Sequence, residues 1–385
     1  MEKDRSWKSL LDVAGLFLKL GTISFGGPAA HVALMEQEIV RKRGWLDCDH
    51  FLDLLAATNL VPGPNATEMA IHIGYVRAGW PGLVAAGSAF ILPAFLISLA
   101  LSWIYVRFGA LPEGQALFYG INPVVMAIIL VATFRLGKTA LKGKVQVLLG
   151  VLAFGAALLG VNEVLILLGS GVLGIFLYAL PGWLKKRPSM AMVLPLIPLI
   201  YTIPKSWAWL DNQMVLLGLF FLKVGSLLFG SGMVLFAFIQ RDVVSRYGWL
   251  TQQQLIDAIA VGQMTPGPVL SSATFIGYLV SGWPGALVAT VAVFLPSFII
   301  VSLMGPFIPR LRQSRIAQAF LKGVNAAVVA LILTVSLVLF RSAIIDVWTV
   351  IILVVGLFIL LRTKVDSFWL VLGGAAVGLI HFFIT

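Results

Sequence analysis

Apolar runs of about 17–25 residues return from one end of this chain to the other, the length a helix needs to cross some 30 Å of hydrocarbon. Inside a bilayer each backbone N–H and C=O needs a partner within its own segment, so these runs are expected to be transmembrane helices. Only 11% of the 385 residues are charged and 60% are hydrophobic, against about 25% charged in soluble domains. Too little polar surface remains to coat a soluble core, and no stretch between the runs is long enough for a separate domain. Leu10 to Ile23 carries Asp12 and Lys19, with no small-residue cleavage site behind it. It therefore reads as a span rather than a removed signal.

Cys48 is the only cysteine, which excludes an internal disulfide. His31, His50, His72 and His381 are far apart in sequence, without metal-ligand spacing. Neither a metal nor a cofactor is expected. The net charge of +11 could mark a nucleic-acid binder. In a chain of membrane spans it reads instead as Lys and Arg gathered in cytoplasmic loops, with the lipid bilayer as partner and no nucleic acid.

The chain is duplicated. Phe17, Lys19, Gly21, Phe25 and Gly26 recur 204 residues later as Phe221, Lys223, Gly225, Phe229 and Gly230. The same offset carries Gly44-Trp45-Leu46 onto Gly248-Trp249-Leu250, and Pro62-Gly63-Pro64 onto Pro266-Gly267-Pro268. After the loss of one residue, Gly79-Trp80-Pro81-Gly82 maps onto Gly282-Trp283-Pro284-Gly285, Pro93 onto Pro296 and Asn122 onto Asn325. The expected organisation is an N-terminal repeat over 1–188, a connecting span and linker over 189–211, and a C-terminal repeat over 212–385.

Spans are read at about 9–28, 51–78, 80–106, 116–136, 145–160, 162–181 and 189–203, then 212–239, 251–281, 282–305, 318–340, 345–361 and 366–384. Seven spans before the second copy would invert it. With the N-terminus in the cytoplasm and the C-terminus outside, 17 Lys and Arg fall inside and six outside, while Lys19, Arg77, Lys223 and Lys322 lie in or at the ends of spans. Equivalent loops also exchange their charge: Arg135 to Lys144 is strongly basic, whereas its counterpart has only Arg341. Inversion predicts such a swap. Arg41-Lys42-Arg43, placed outside, runs against it. The expected fold is an all-α polytopic membrane protein with two homologous repeats in inverted topology, about 13 transmembrane segments and broken helices at the Pro-Gly-Pro motifs.

Proline removes a donor and clashes with the preceding turn, and glycine tolerates non-helical angles, so each Pro-Gly-Pro must break its helix. In a membrane such breaks survive only where protein or a water-filled cavity surrounds them. The half-helices beginning at Pro64 and Pro268 would direct free N–H groups and a positive dipole end inwards, which suits an anion. Polar neighbours include Asn65 and Thr67 in one copy, and Gln263, Thr265, Ser271 and Ser272 in the other. Plain structural kinks would carry the same signature. Phe25-Gly26-Gly27-Pro28 and Phe229-Gly230-Ser231-Gly232 are a second pair of break candidates, serving either as close-packing positions or as a second backbone nest.

Lys19 and Lys223 lie in equivalent apolar surroundings, where an ammonium is costly and marks function unless it snorkels to the interface. Together they could neutralise a dianion. Glu68 is the only acid in its apolar segment and is replaced by Ser272 in the other copy, which makes it the candidate for proton coupling; an ion pair with Arg77 or Lys19 is the plainer alternative. His72, one turn away, and His31 could join a relay or be simply hydrogen-bonded. Asn122 and Asn325 line a cavity or join helices. The Trp80-Pro81-Gly82 and Trp283-Pro284-Gly285 corners read as interfacial turns.

The ordered set Phe25-Gly26-Gly27-Pro28-Ala29-Ala30-His31, Gly44-Trp45-Leu46, Phe51, Pro62-Gly63-Pro64-Asn65-Ala66-Thr67 and Gly74-Tyr75 resembles the chromate ion transporter (CHR) family. The second copy is similar through Gly230-Ser231-Gly232, Gly248-Trp249-Leu250 and Pro266-Gly267-Pro268. The likeness covers nearly the whole chain and matches the fused, two-domain form. It implies export of chromate across the cytoplasmic membrane, driven by protons or the membrane potential, and chromate resistance; some relatives look tied to sulfate. The second copy lacks a histidine or acid matching His31 and Glu68, so a carried-over coupling role is confined to the first. The expected mechanism is alternating access, with the anion near the midplane between Pro64 and Pro268. A passive anion channel is the rival reading, a homodimer is left open, and no catalytic residues are expected.

Overall fold

The structure, a computed structural model, describes residues 7–178, 212–230, 232–304, 313–363 and 365–384. The expected span over 189–203 and the site candidate Ser231 lie outside the described residues. Among those residues the fold is all helix. The first repeat runs α1 (Trp7–Ile23), α2 (Pro28–Glu36, continued by a π turn over Gln37–Lys42), α3 (Cys48–Thr58), α4 (Asn65–Phe108), α5 (Pro112–Ala140), α6 (Lys144–Leu158) and α7 (Glu163–Tyr178). The second repeats the series as α8 (Gln213–Gly225), α9 (Leu235–Phe238, continued by a π turn over Ile239–Arg246), α10 (Gln252–Met264), α11 (Ser272–Met304), α12 (Arg315–Ala343), α13 (Val347–Arg362) and α14 (Ser367–Ile384).

Local chemistry is duplicated with the order. Asp47 caps α3 by accepting from the His50 N–H, and the equivalent Thr251 caps α10 from Gln254. α4 and α11 are each two helices folded at a corner: Gly79 and Gly282 take φ of 66° and 63°, where a side chain would be strained. The arms then pack so closely that a Cβ on Gly74 or Gly277 would meet the carbonyl of Gly82 or Gly285. Trp80 and Trp283 stand exposed at these corners.

Among the described residues, five helical stretches are long and apolar enough to cross a membrane: Asn65–Phe108, Pro112–Ala140, Val269–Leu303, Arg315–Ala343 and Ser367–Ile384. Shorter apolar helices are Lys144–Leu158, Glu163–Tyr178, Gln213–Gly225 and Val347–Arg362. The protein is a multi-pass membrane protein. The spans read at 9–28 and 212–239 do not continue as single helices; each stops at its glycine motif, after Ile23 and Gly225.

The repeats are interleaved rather than side by side. α5 packs against α13 and α14 of the other repeat, and its counterpart α12 packs against α6 and α7. α4 meets its counterpart α11, and α5 meets its counterpart α12. Small residues allow the approach: a Cβ on Gly120 would collide with the backbone of Gly374, and one on Gly174 with that of Ala319.

Candidate functional site

The helix breaks leave backbone groups that must find partners, and they find them across the repeats. Gly267 N–H, between its two prolines, donates to the Ser24 carbonyl at 2.8 Å. Gly63 N–H donates to the Leu228 carbonyl, also at 2.8 Å. Ser24 and Leu228 are equivalent, as are Gly63 and Gly267, so the break after the first helix of each repeat is stitched to the Pro-Gly-Pro of the other. Two junctions result, alike in backbone and different in side chains.

The first junction, joining the breaks at Ser24–Gly27 and 266–268, borders a partly open cavity of about 260 Å³. Ser24, Gly26, Gly27, His31, Arg135, Gln263, Thr265 and Gly267 line it. Among the described residues Arg135 is its only charged wall; it donates from Nη2 to the Leu360 carbonyl at 3.0 Å, which leaves further guanidinium donors. Ser24 Oγ and the Gln263 amide nitrogen are buried without a partner. His31 Nε2 lies 3.1 Å from the Ser24 carbonyl and must donate to it. Its unpartnered Nδ1 is then bare, and becomes a donor only if the ring is protonated. Thr265 Oγ1 bonds Ser271 Oγ at 2.6 Å, and Ser98 Oγ of the first repeat donates to the Ser271 carbonyl at 3.0 Å. Ser272 Oγ turns back to the Val269 carbonyl. Gly27 caps the amino end of α2, and Val269 opens the short helix that leads into α11; both adjoin the cavity. A guanidinium, free donors and two helix amino ends facing one space favour an anion.

The second junction joins the break at Leu228–Gly230 to Pro62-Gly63-Pro64. Leu228 stands for Ser24, Leu235 for His31, Val338 for Arg135 and Val61 for Thr265. Glu68 is fully buried here, with neither carboxyl oxygen hydrogen-bonded. A Cβ on Gly63 would lie against Glu68 Oε1 and 2.6 Å from Ser297 Oγ. Thr67 Oγ1 and Ser297 Oγ are also buried without partners, as is Nε2 of His72 one turn along. Asn65 donates to Asn59 Oδ1 at 2.7 Å. Gly230 backs onto Asn325 Oδ1, whereas Asn122 is buried with its Oδ1 free.

Lys19 and Lys223 are outside the cavity wall, and each is held by an acid. Lys19 lies 3.2 Å from Glu38, which Lys42 also reaches at 2.9 Å. Lys223 pairs with Asp242, the equivalent of Glu38, and its ammonium lies 5.3 Å from the Phe220 ring. Lys42, against the opposing effect of burial and with help from Lys19, holds the Glu38 carboxyl below its ordinary range. Glu68 takes part in none of the ion pairs of the described residues.

Two functional candidates escaped the sequence reading. Arg135 was counted with the basic loop that follows it. Asp257 is buried in α10, accepting from Tyr105 of the other repeat at 2.7 Å and from Gln253 at 3.1 Å. An acid inside the apolar run 251–281 was the available signal.

Comparison with known proteins places this architecture. The family model described as "Chromate transporter" matches residues 11–175 and again 215–379. The chain is 36% identical to the chromate transport protein of Cupriavidus metallidurans over 95% of its own length and 92% of that protein. It is also 36% identical to a probable chromate transport protein of Synechococcus elongatus, over 91% and 89% of the two chains. A shorter relative, the uncharacterized transporter YwrA of Bacillus subtilis, is 33% identical over 33% of this chain and 71% of its own. No solved structure matches.

Proposed function

This chain belongs to the chromate transporter family, and from that premise we propose that it is a secondary active transporter exporting chromate from the cytoplasm by alternating access, so conferring chromate resistance. The observation that carries this reading is the cavity at the first junction, where Ser24 Oγ and the Gln263 amide nitrogen are buried without a partner among the described residues and Arg135 brings a guanidinium with one donor spent on Leu360. Chromate is a tetrahedral dianion, and guanidinium together with backbone and side-chain N–H and O–H donors suits its oxygens. Sulfate has the same shape and charge, so we propose it as a second substrate.

The proposed binding set is Ser24, Gly26, Gly27, Gln263, Thr265, Gly267 and Arg135 around the cavity, with Ser271 behind Thr265 and with Pro62, Gly63, Pro64, Pro266 and Pro268 shaping the two junctions. Lys19 and Lys223, outside the cavity wall and each paired with an acid, are assigned the supply of positive charge to the anion's path. About 13 spans, an inverted second repeat, a cytoplasmic N-terminus and drive from protons or the membrane potential complete the proposal. The interleaved two-fold packing supports rocking of one set of helices against the other about the stitched breaks.

The test is labelled chromate uptake by everted vesicles. Accumulation above the outside concentration is expected, and strictly downhill movement would replace the transporter with a channel. In cells, Arg135→Ala is expected to lower chromate tolerance at unchanged protein level, and wild-type tolerance removes the cavity assignment. Lys19→Ala, Lys223→Ala and Pro64→Leu are each expected to abolish tolerance at unchanged protein level, and wild-type tolerance in all three removes the roles given to the lysines and to the Pro64 break.

A further inference from the structure

Resting on that anion reading of the first junction, we propose that the second junction is the proton site of the same transporter, with the Glu68 carboxyl as its carrier. The duplication built two equivalent junctions, and substitution has since made them opposite. Where one has Arg135 and Ser24, the other has Val338 and Leu228; where one has Ser272 and Ala94, the other has Glu68 and Ser297.

Glu68 is sealed from solvent with both carboxyl oxygens unpaired. An ionised carboxylate left so costs several kcal/mol, whereas a carboxylic acid is neutral and can donate its proton to a neighbour such as Ser297. The missing side chain of Gly63 makes the space in which Glu68 and Ser297 approach from different repeats. His72, whose Nε2 is also without a partner, is the titratable group one turn along the same helix. One carboxyl and a hydroxyl supply too few oxygens to strip a metal cation of its water, but a proton needs only one. Each junction is closed by its own cross-repeat bond, from Gly267 in the first and from Gly63 in the second. Any motion that opens one repeat against the other therefore acts on proton and anion together.

The experiment uses the full chain in proteoliposomes in sodium-free buffer, read two ways: chromate accumulation under an imposed pH gradient, and exchange of labelled outside chromate for inside chromate without any gradient. Glu68→Gln keeps the shape and charge of the protonated residue, and is expected to lose accumulation while exchange persists. Arg135→Ala is expected to weaken both together, with a raised Michaelis constant for exchange. Accumulation by Glu68→Gln at the wild-type level overturns the proposal, as does loss of its exchange along with accumulation, or, in a parallel run with sodium added, wild-type accumulation driven by a sodium gradient and not by pH. Absence of both activities in the wild type overturns the anion reading instead. If Glu68→Gln does not fold, dicyclohexylcarbodiimide, which attacks protonated carboxyls in apolar surroundings, is applied to the wild type. An adduct on Glu68 that stops accumulation is expected; inhibition with Glu68 unmodified overturns the proposal.

Discussion

Arg135 stands in a run with Lys138, Lys142 and Lys144, where a basic residue most economically marks a cytoplasmic loop. Only the turn of α5 on which it falls distinguishes it from the others, aiming it at the cavity and the Leu360 carbonyl. Loss of a charge-assisted contact costs about 1.5–3 kcal/mol, so Arg135→Ala is expected to weaken chromate binding by about ten- to a hundredfold. The Michaelis constant for exchange in proteoliposomes checks this, and an unchanged value removes Arg135 from the site. Arg135→Lys should recover only part of the affinity, because an ammonium lacks the planar fork. Gln263 and Thr265 were legible from the sequence, since they adjoin a Pro-Gly-Pro that had to line protein or water. The carboxylates that hold Lys19 and Lys223 were not, because Glu38 and Asp242 are 19 residues from their partners.

Among the elements, the corners of α4 and α11 were written in the chain as Gly-Trp-Pro-Gly, and the breaks as Pro-Gly-Pro. Gly282→Ala would force a side chain into a left-handed conformation at a cost of about 1–2 kcal/mol. It is expected to lower the midpoint of thermal unfolding in detergent, and an unchanged midpoint would show that the corner can relax. Pattern alone did not reveal that the break near Gly26 belongs with the Pro-Gly-Pro near 267, from the opposite repeat. A freed N–H and a freed carbonyl have no sequence code for each other; they pair because both are buried and near.

At the scale of the whole molecule, α5 lies against α13 and α14 as its counterpart α12 lies against α6 and α7. A leucine at Gly120 would drive into the α14 backbone, so Gly120→Leu is expected to abolish folded protein, measured as loss of the monodisperse peak after extraction. A folded, active variant would refute this packing. Inversion has its own test: in a Cys48→Ser background, a cysteine at Lys142 and one at Ile345, in equivalent loops, should be labelled from opposite sides of the membrane. Labelling from one side would make the repeats parallel.

The sequence by itself determined the membrane class, the duplication and the positions where helices must break. Each follows from short-range physics: hydropathy over one helix length, and the backbone limits of proline and glycine. Tertiary structure alone decided which break met which, and that Arg135 and Glu68 would occupy opposite junctions. Those outcomes depend on contacts between residues a hundred or more positions apart, chosen by where small residues let two helices approach and where buried polar groups had to be satisfied.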